Sequence, residues 1–446
     1  MPGVGSLVKG PRAVNVIIQR LQRCMSSTTG AVMSFGDGSH GALGLPTSLM
    51  GLGVDAYEPI RVPSLPSDVT SVTAGHYHSL AVTSQGQLWA WGRDLEAQLG
   101  RGLPSPRDSW NEPKKVAGLD QVNVCAAFAS GVVSAAIGDD GSLWVWGKSK
   151  RGQLGLGNQV TESVVPSRVE ALAGEKIIKV SFGWGHALAL TEDGKLFGWG
   201  YSADGRLGSI TESLGTSLLE SRGDLNNREL SSSTMEAAEK LVLEGMAKEN
   251  NMPIIWEPSL VRELHSVDVV DIACGFDHSL ILCVSGDGTL LSCGSNVYGQ
   301  LGREKQDLGL FPVDISFRPT YIASGLGHSL AICQVPSSNV IGGAEGIVTW
   351  GWNQSSQLGR GGSENIPLVI EGLEGEIPVT VSGGRVHSIA LTSKGEVWVW
   401  GCGKNGRLGL GSSCDEAEPI LLDSVEGCQV LQAVSGFDHN LVLIAE

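Results

Sequence analysis

The sequence predicts an all-β fold: a seven-bladed β-propeller of four-stranded blades, its ring closed by pairing of the N- and C-terminal segments. Three observations predict it: a strand-and-loop unit written seven times, a period of about fifty residues, and a chain that enters and leaves partway through a unit. Each unit has an apolar strand ending in an aromatic-Gly pair or its substitute, at Phe35-Gly36, Trp91-Gly92, Trp146-Gly147, Trp199-Gly200, Cys293-Gly294, Trp350-Gly351 and Trp400-Gly401. A polar loop then closes on Leu-Gly, at Leu43, Leu99, Leu154, Leu207, Leu301, Leu358 and Leu408 with their following glycines. Units of this kind bury their apolar faces only by stacking on neighbours.

Four strands are expected per unit. In the second, residues 69–74 and 79–83 alternate in polarity, residues 84–87 form a turn, and residues 88–91 make a third strand. A fourth strand is expected to open at Pro113, because proline at the first residue of an outer strand removes no interior ladder bond. Prolines 59, 166, 258, 312, 367 and 419 hold the equivalent place. Trp89 and Trp91 are two apart and share a sheet face, as do Trp144 with Trp146 and Trp398 with Trp400. The chain enters with a third strand at residues 32–36 and leaves with first and second strands within residues 434–444. Pairing these ends completes one blade and removes two exposed edges.

Residues 1–30 stand outside the repeat. They carry Lys9, Arg12, Arg20 and Arg23, no acid before Asp37, and Val14, Ile17, Ile18 and Leu21 on one helical face. This is the composition of an organelle transit peptide, and the lack of a long apolar core argues against secretion. Mitochondria are the expected destination, with a plastid or a basic tail of a nuclear or cytosolic protein as alternatives. The remaining body, residues 31–446, is the propeller. Within it the interval from His186 to His278 is about forty residues longer than other repeat intervals, which marks residues 209–251 as an acidic insertion, helical near residues 235–248 or disordered.

The formal charge of -16 repels phosphate backbones, so direct nucleic-acid binding by the body is not expected, although a local basic patch is compatible with it. Nine cysteines form no Cys-x-x-Cys pair, and Cys274, Cys283 and Cys293 fall in expected strands, which reads as buried thiols rather than disulfides. The uncharged stretch 121–138 matches strand, turn and strand of a blade rather than a membrane span.

Candidate chemistry is sparse. A Gly-x-x-His segment precedes the second strand at His78, His186, His278, His328, His387 and His439, and blade three replaces it with Ser130-Gly131-Val132-Val133. Histidines spread one per blade cannot converge on one metal, so they are expected to bond backbone within or between blades. G-x-G-x-x-G at residues 401–406 and 36–41 is followed by no helix, and Gln153 stands where a phosphate loop needs lysine after residues 147–152. No catalytic, cofactor or metal residues are expected. The variable residues of the Gly-x-x-His segments should share one rim of the ring, and Tyr77, Trp184, Phe276, Asp277, Arg385, Phe437 and Asp438 are the expected partner-binding residues, since interfaces favour aromatics and arginine.

The pattern G-x-x-H-S-x-A-x-x-x-x-G-x-x-x-x-W-G-x-N-x-x-G-Q-L-G, as in residues 75–100 and 384–409, resembles the repeat of the regulator of chromosome condensation family, and the organellar presequence resembles its plant mitochondrial members. The resemblance covers about nine tenths of the chain and implies the propeller. It implies several functions: Ran guanine-nucleotide exchange on chromatin, ultraviolet-B reception, a part in ubiquitin ligases, and organellar support of transcript splicing or of ribosome and respiratory-complex biogenesis. The photoreceptor resemblance needs Trp-Arg in several segments, and here Trp184 is followed by Gly185. The acidic body departs from chromatin docking. The expectation is therefore a non-enzymatic mitochondrial scaffold binding organellar proteins, RNA-processing factors among them, with exchange on a small GTPase as the alternative.

Overall fold

A computed structural model describes residues 30–47, 53–103, 106–209, 253–284, 288–304, 307–335, 344–373 and 375–446. The expected transit peptide lies outside these residues except for Gly30, which opens a strand, and so does all of the expected insertion except Ser209, including its helix. The described strands fall into seven sets of four. Blade one is built from both ends of the chain: Val430–Ser435, His439–Ala445, Gly30–Gly36 and Ala56–Arg61. Blade two has Val69–Ala74, His78–Thr83, Leu88–Gly92 and Lys114–Lys115, and blade three has Val124–Ala129, Val133–Gly138, Leu143–Lys148 and Glu162–Arg168. Blade four has Ile177–Phe182, His186–Thr191, Leu196–Tyr201 and Ile254–Leu260, and blade five has Asp268–Cys274, His278–Val284, Thr289–Gly294 and Phe311–Pro312. Blade six has Arg318–Ser324, His328–Val335, Ala344–Gly351 and Leu368–Val369, and blade seven has Pro378–Gly383, His387–Thr392, Val397–Gly401 and Glu416–Leu421.

Ring closure follows the sequence expectation. Gly30–Gly36 pairs antiparallel with His439–Ala445 in unbroken register from Gly30↔Ala445 to Gly36↔His439. One further pair, Gly30↔Val69, bridges blades one and two. The prolines sit differently from expectation in four blades. The outer strand of blade three runs on both sides of Pro166, and its register jumps between Ser163↔Gly147 and Ser167↔Val145. The same jump occurs opposite Pro59, Pro258 and Pro419. A bulge leaves its extra residues out of the ladder, so proline costs no hydrogen bond inside the strand.

The second strand of each blade is covered on both faces by neighbouring blades, and His78–Thr83 is buried throughout. In five blades the third strand ends on a tryptophan, Trp91, Trp146, Trp199, Trp350 or Trp400, that packs into the blade before it. Trp146 of blade three lies among Leu80, Val82, Leu88 and Leu99 of blade two, and its Nε1 donates to the Gln98 carbonyl at 2.9 Å. Gly100 makes the seat: its φ is +63°, and a Cβ there would fall 2.8 Å from Trp146 Nε1.

The repeat histidines staple adjacent blades. His78 Nε2 meets Ser134 Oγ of blade three at 2.7 Å, and Ser134 Oγ donates to the Gln98 carbonyl of blade two at 2.8 Å. The same staple recurs from His186 to Ser279, His278 to Ser329, His328 to Ser388, and His439 to Ser79, with Asn440 replacing serine opposite His387. The histidine partner is thus a side chain of the next blade, and the backbone is reached only through it. Because each serine proton is committed to a carbonyl, Nε2 is the protonated nitrogen and the ring is neutral. Burial holds His278, His328 and His387 down at about 3. Cys274, Cys283 and Cys293 lie in strands as free thiols, and burial pushes Cys283 and Cys293 up to about 12.

Candidate functional site

The six Gly-x-x-His segments lie at one end of the ring, and each first variable residue is tied to the next blade. The amides of His76, Trp184, Phe276, Leu326, Arg385 and Phe437 donate to the carbonyls of Ser130, Phe276, Leu326, Gly384, Phe437 and Gly75, at 2.9 to 3.2 Å. The segment glycine is required by crowding rather than by backbone angle: a Cβ on Gly183 would fall 2.1 Å from His186 Cε1. The result is a collar around the mouth of a central cavity of about 310 Å³ lined by the innermost strands. Lys179, which lines that cavity, pairs with Asp271 and faces Tyr321.

On the collar the expected residues form one aromatic chain. Phe276 stacks on Trp184 at 4.8 Å, Phe437 meets Tyr77 edge-on at 5.7 Å, and His76 joins the two pairs by stacking on Trp184 at 5.9 Å and on Phe437 at 4.7 Å. The His76 to Trp184 stack passes over blade three, where Gly131 has no side chain. Sequence reasoning missed His76, although it occupies the same motif position as Trp184 and Phe276. Burial holds its imidazole at about 4, so the stack is made by a neutral ring at neutral pH.

Arginines complete the collar. Arg93 lies over Tyr77 at 4.9 Å, Arg151 over Trp184 at 5.5 Å and Arg385 over Phe437 at 5.1 Å. Arg93 and Arg151 come from the loops after the Trp-Gly pairs, and the sequence signal for them was only their place three to six residues ahead of Leu-Gly. Asp277 and Asp438 have internal duties. Asp277 accepts from buried Arg206 of blade four, and Asp438 accepts from Arg385 at 3.0 Å and lies 2.7 Å from Arg407 Nε. The loops that supply Arg206 and Arg407 therefore lie at the same end as the collar. Residues 210–252 connect to the blade-four loop that carries Arg206.

No group of three or more His, Cys, Asp or Glu side chains suited to a metal occurs among the described residues. No helix among them is long and apolar enough to cross a membrane. The glycine-rich stretch 401–406 ends a strand and enters a single 3-10 turn, Lys404–Gly406, so it offers no helix N-terminus to a phosphate.

Comparison with known proteins agrees with this architecture. The mitochondrial RCC1 domain-containing protein RUG3 of Arabidopsis thaliana is 35% identical over 412 residues, covering 80% of this chain and 88% of the relative. The E3 ubiquitin-protein ligase HERC2 of Homo sapiens is 27% identical over 371 residues, 82% of this chain, yet the chain spans only 7% of that ligase. The crystal structure of Prp20p from Saccharomyces cerevisiae, a protein studied for its binding to Gsp1p and histones, superposes with a TM-score of 0.74 at 20% identity, covering 100% of this chain and 96% of Prp20p. The model of the RCC1-like domain matches residues 31–442, and the chain belongs to that family.

Proposed function

We propose that this protein is a non-enzymatic scaffold in mitochondria, whose collar docks proteins that support organellar transcript processing, intron splicing in particular, and respiratory-complex biogenesis. The observation that carries the docking reading is the collar itself. Phe276, Trp184, His76, Phe437 and Tyr77 are half-buried and pre-ordered by mutual stacking, and a surface already ordered loses little side-chain entropy on binding. Aromatic and arginine side chains in such a setting are the usual anchors of protein interfaces. The location is supported by the 35% identity to a relative named mitochondrial and by the acid-free, arginine-bearing residues 1–30.

Two measurements test the reading. A fluorescent fusion of residues 1–50 is expected in mitochondria, and changing Arg12, Arg20 and Arg23 to Glu is expected to keep it out; a nuclear full-length protein would overturn the location. Affinity capture from mitochondria should recover proteins that the Trp184→Ala/Arg385→Ala variant releases while it keeps the wild-type circular dichroism. Accelerated nucleotide release from a small GTPase by the purified protein would replace the scaffold with an exchange factor.

A further inference from the structure

Blade three departs from the repeat in several ways, and two of its departures meet at its junction with blade four. Its collar segment has Gly131 in place of a side chain. Its loop after the Trp-Gly pair reads Lys148-Ser149-Lys150-Arg151, whereas the same four positions in the other blades read Asp37-Gly38-Ser39-His40, Arg93-Asp94-Leu95-Glu96, Tyr201-Ser202-Ala203-Asp204, Ser295-Asn296-Val297-Tyr298, Trp352-Asn353-Gln354-Ser355 and Cys402-Gly403-Lys404-Asn405. None of those carries more than one lysine or arginine. The three cations line a cavity of about 250 Å³ that has Trp184 as its aromatic wall and no carboxylate among the described residues of its lining, on a chain whose formal charge is -16.

We propose that this junction binds an acidic peptide segment of a partner protein, with Lys148, Lys150 and Arg151 receiving its carboxylates. The proposal rests on reading the collar as an interaction surface and names the chemistry of one part of it. The loop is held ready: Ser149 Oγ donates to Gln153 at 2.9 Å, Gln153 Nε2 donates to the Gly183 carbonyl at 2.9 Å, and the Arg151 amide donates to Ser149 at 3.2 Å. Lys148 and Lys150 are exposed. Lys148 pairs with Glu162 at 3.2 Å, both side chains 47% exposed, a pair that an incoming carboxylate exchanges at little cost.

Carboxylate fits better than nucleic acid because of how Trp184 is packed. Phe276 and His76 stack on it at interplanar angles of 17° and 6°, and Arg151 lies over the same ring at 5.5 Å, so the indole is already engaged where a base would stack. What remains is the ring edge, the electropositive part of the quadrupole, beside two ammonium groups and a guanidinium suited to charge-assisted bonds.

The test is fluorescence anisotropy with the full-length protein at low salt, using a labelled eight-residue Glu/Asp peptide, its Gln/Asn counterpart and an eight-nucleotide single-stranded RNA. The acidic peptide is expected to bind best. Changing Lys148, Lys150 and Arg151 to Ala together should weaken it roughly tenfold or more, the loss of one charge-assisted bond or so, while Lys114→Ala/Lys115→Ala on blade two leaves it unchanged. Lys150→Ala alone, at an exposed position, should weaken binding in the same direction and decides the matter if the triple variant melts early. Unchanged affinity in these variants, or tighter binding of the RNA, overturns the proposal. Partners released by Trp184→Ala/Arg385→Ala but retained by the triple variant would also overturn this site while leaving the scaffold reading intact.

Discussion

Val133 and Ala187 face the junction of blades three and four from opposite sides, at the two positions where the other six junctions place a histidine and its serine or asparagine. Both are fully buried in one apolar cluster. The donor and its acceptor are absent together, and the physical reason is the cost of orphaning either one. A buried N–H or hydroxyl without a partner costs about 1–3 kcal/mol, whereas replacing both by apolar groups is close to neutral.

The same logic applies to a junction that has its staple. Ser329→Ala should cost about 1–3 kcal/mol, because His278 Nε2–H loses its Ser329 partner; the Gln300 carbonyl keeps Trp350 Nε1 at 2.9 Å. Adding His278→Val recreates the Val133/Ala187 arrangement, and the double variant should be more stable than the sum of the two single losses. Denaturant melts of the four proteins measure the coupling. Strict additivity would show that the His278 to Ser329 contact carries no energy.

Acid sensitivity follows from six such histidines. Their folded values are held below the ordinary 6.5, at about 3 for His78 and about 4 for His439, chiefly by burial. The unfolded chain therefore binds more protons, so the stabilisation is complete above pH 6.5 and is lost as pH falls toward the folded values. Integrated across the unfolded value of 6.5, linkage gives about 1.4 kcal/mol per histidine between pH 7.5 and 5.5, or about 8 kcal/mol for six, against a total of about 5–15 kcal/mol. Thermal melts should drop steeply over that range, and the His278→Val/Ser329→Ala variant should show a shallower slope. A flat profile from pH 7.5 to 5.5 would contradict neutral, buried imidazoles.

Closure of the ring has its own signature. Deleting residues 436–446 removes the strand that pairs with Gly30–Gly36 along its whole length and bares two edges, so the truncated chain should associate and lose its cooperative melt. Trp400→Ala should cost roughly 3–5 kcal/mol, since a fully buried indole and its bond to the Gln357 carbonyl are both lost. A monomeric truncated chain with the wild-type melting temperature would be incompatible with closure by these strands.

The fold was legible because the repeat is dense in obligatory residues. Trp146 and Gly100 need each other, as do His186 and Gly183, and such pairs leave a period that can be read without coordinates. The proline positions were legible, but their bulges were not, because one strand alone does not reveal its register against the next. At the collar, the motif located Trp184, Phe276 and Phe437, yet it could not rank His76, whose importance comes from a contact made across a neighbouring blade. The loss of histidine at Val133 was visible in the sequence. Its counterpart at Ala187 belongs to the following repeat and becomes meaningful only once blade three is known to pack on blade four.

Gly131 is the position where the collar and the basic junction can be tested together. A Cβ there would lie 2.7 Å from His76 Nδ1 and 3.3 Å from Trp184 Cζ3. Each ring is stacked on a second one, His76 on Phe437 at 4.7 Å and Trp184 on Phe276 at 4.8 Å, so neither can turn away without disturbing that contact as well. Gly131→Ala should therefore part the His76 to Trp184 stack at a cost of about 1–3 kcal/mol and leave the six staples alone. The near-ultraviolet circular dichroism should change, because a stacked indole loses one neighbour, while the far-ultraviolet spectrum stays that of the wild type. If the collar acts as a pre-ordered surface, the same substitution should weaken partner capture without removing any side chain that a partner would touch. Unchanged near-ultraviolet dichroism would mean that the stack is not held across Gly131, and unchanged capture would mean that its order contributes nothing to binding.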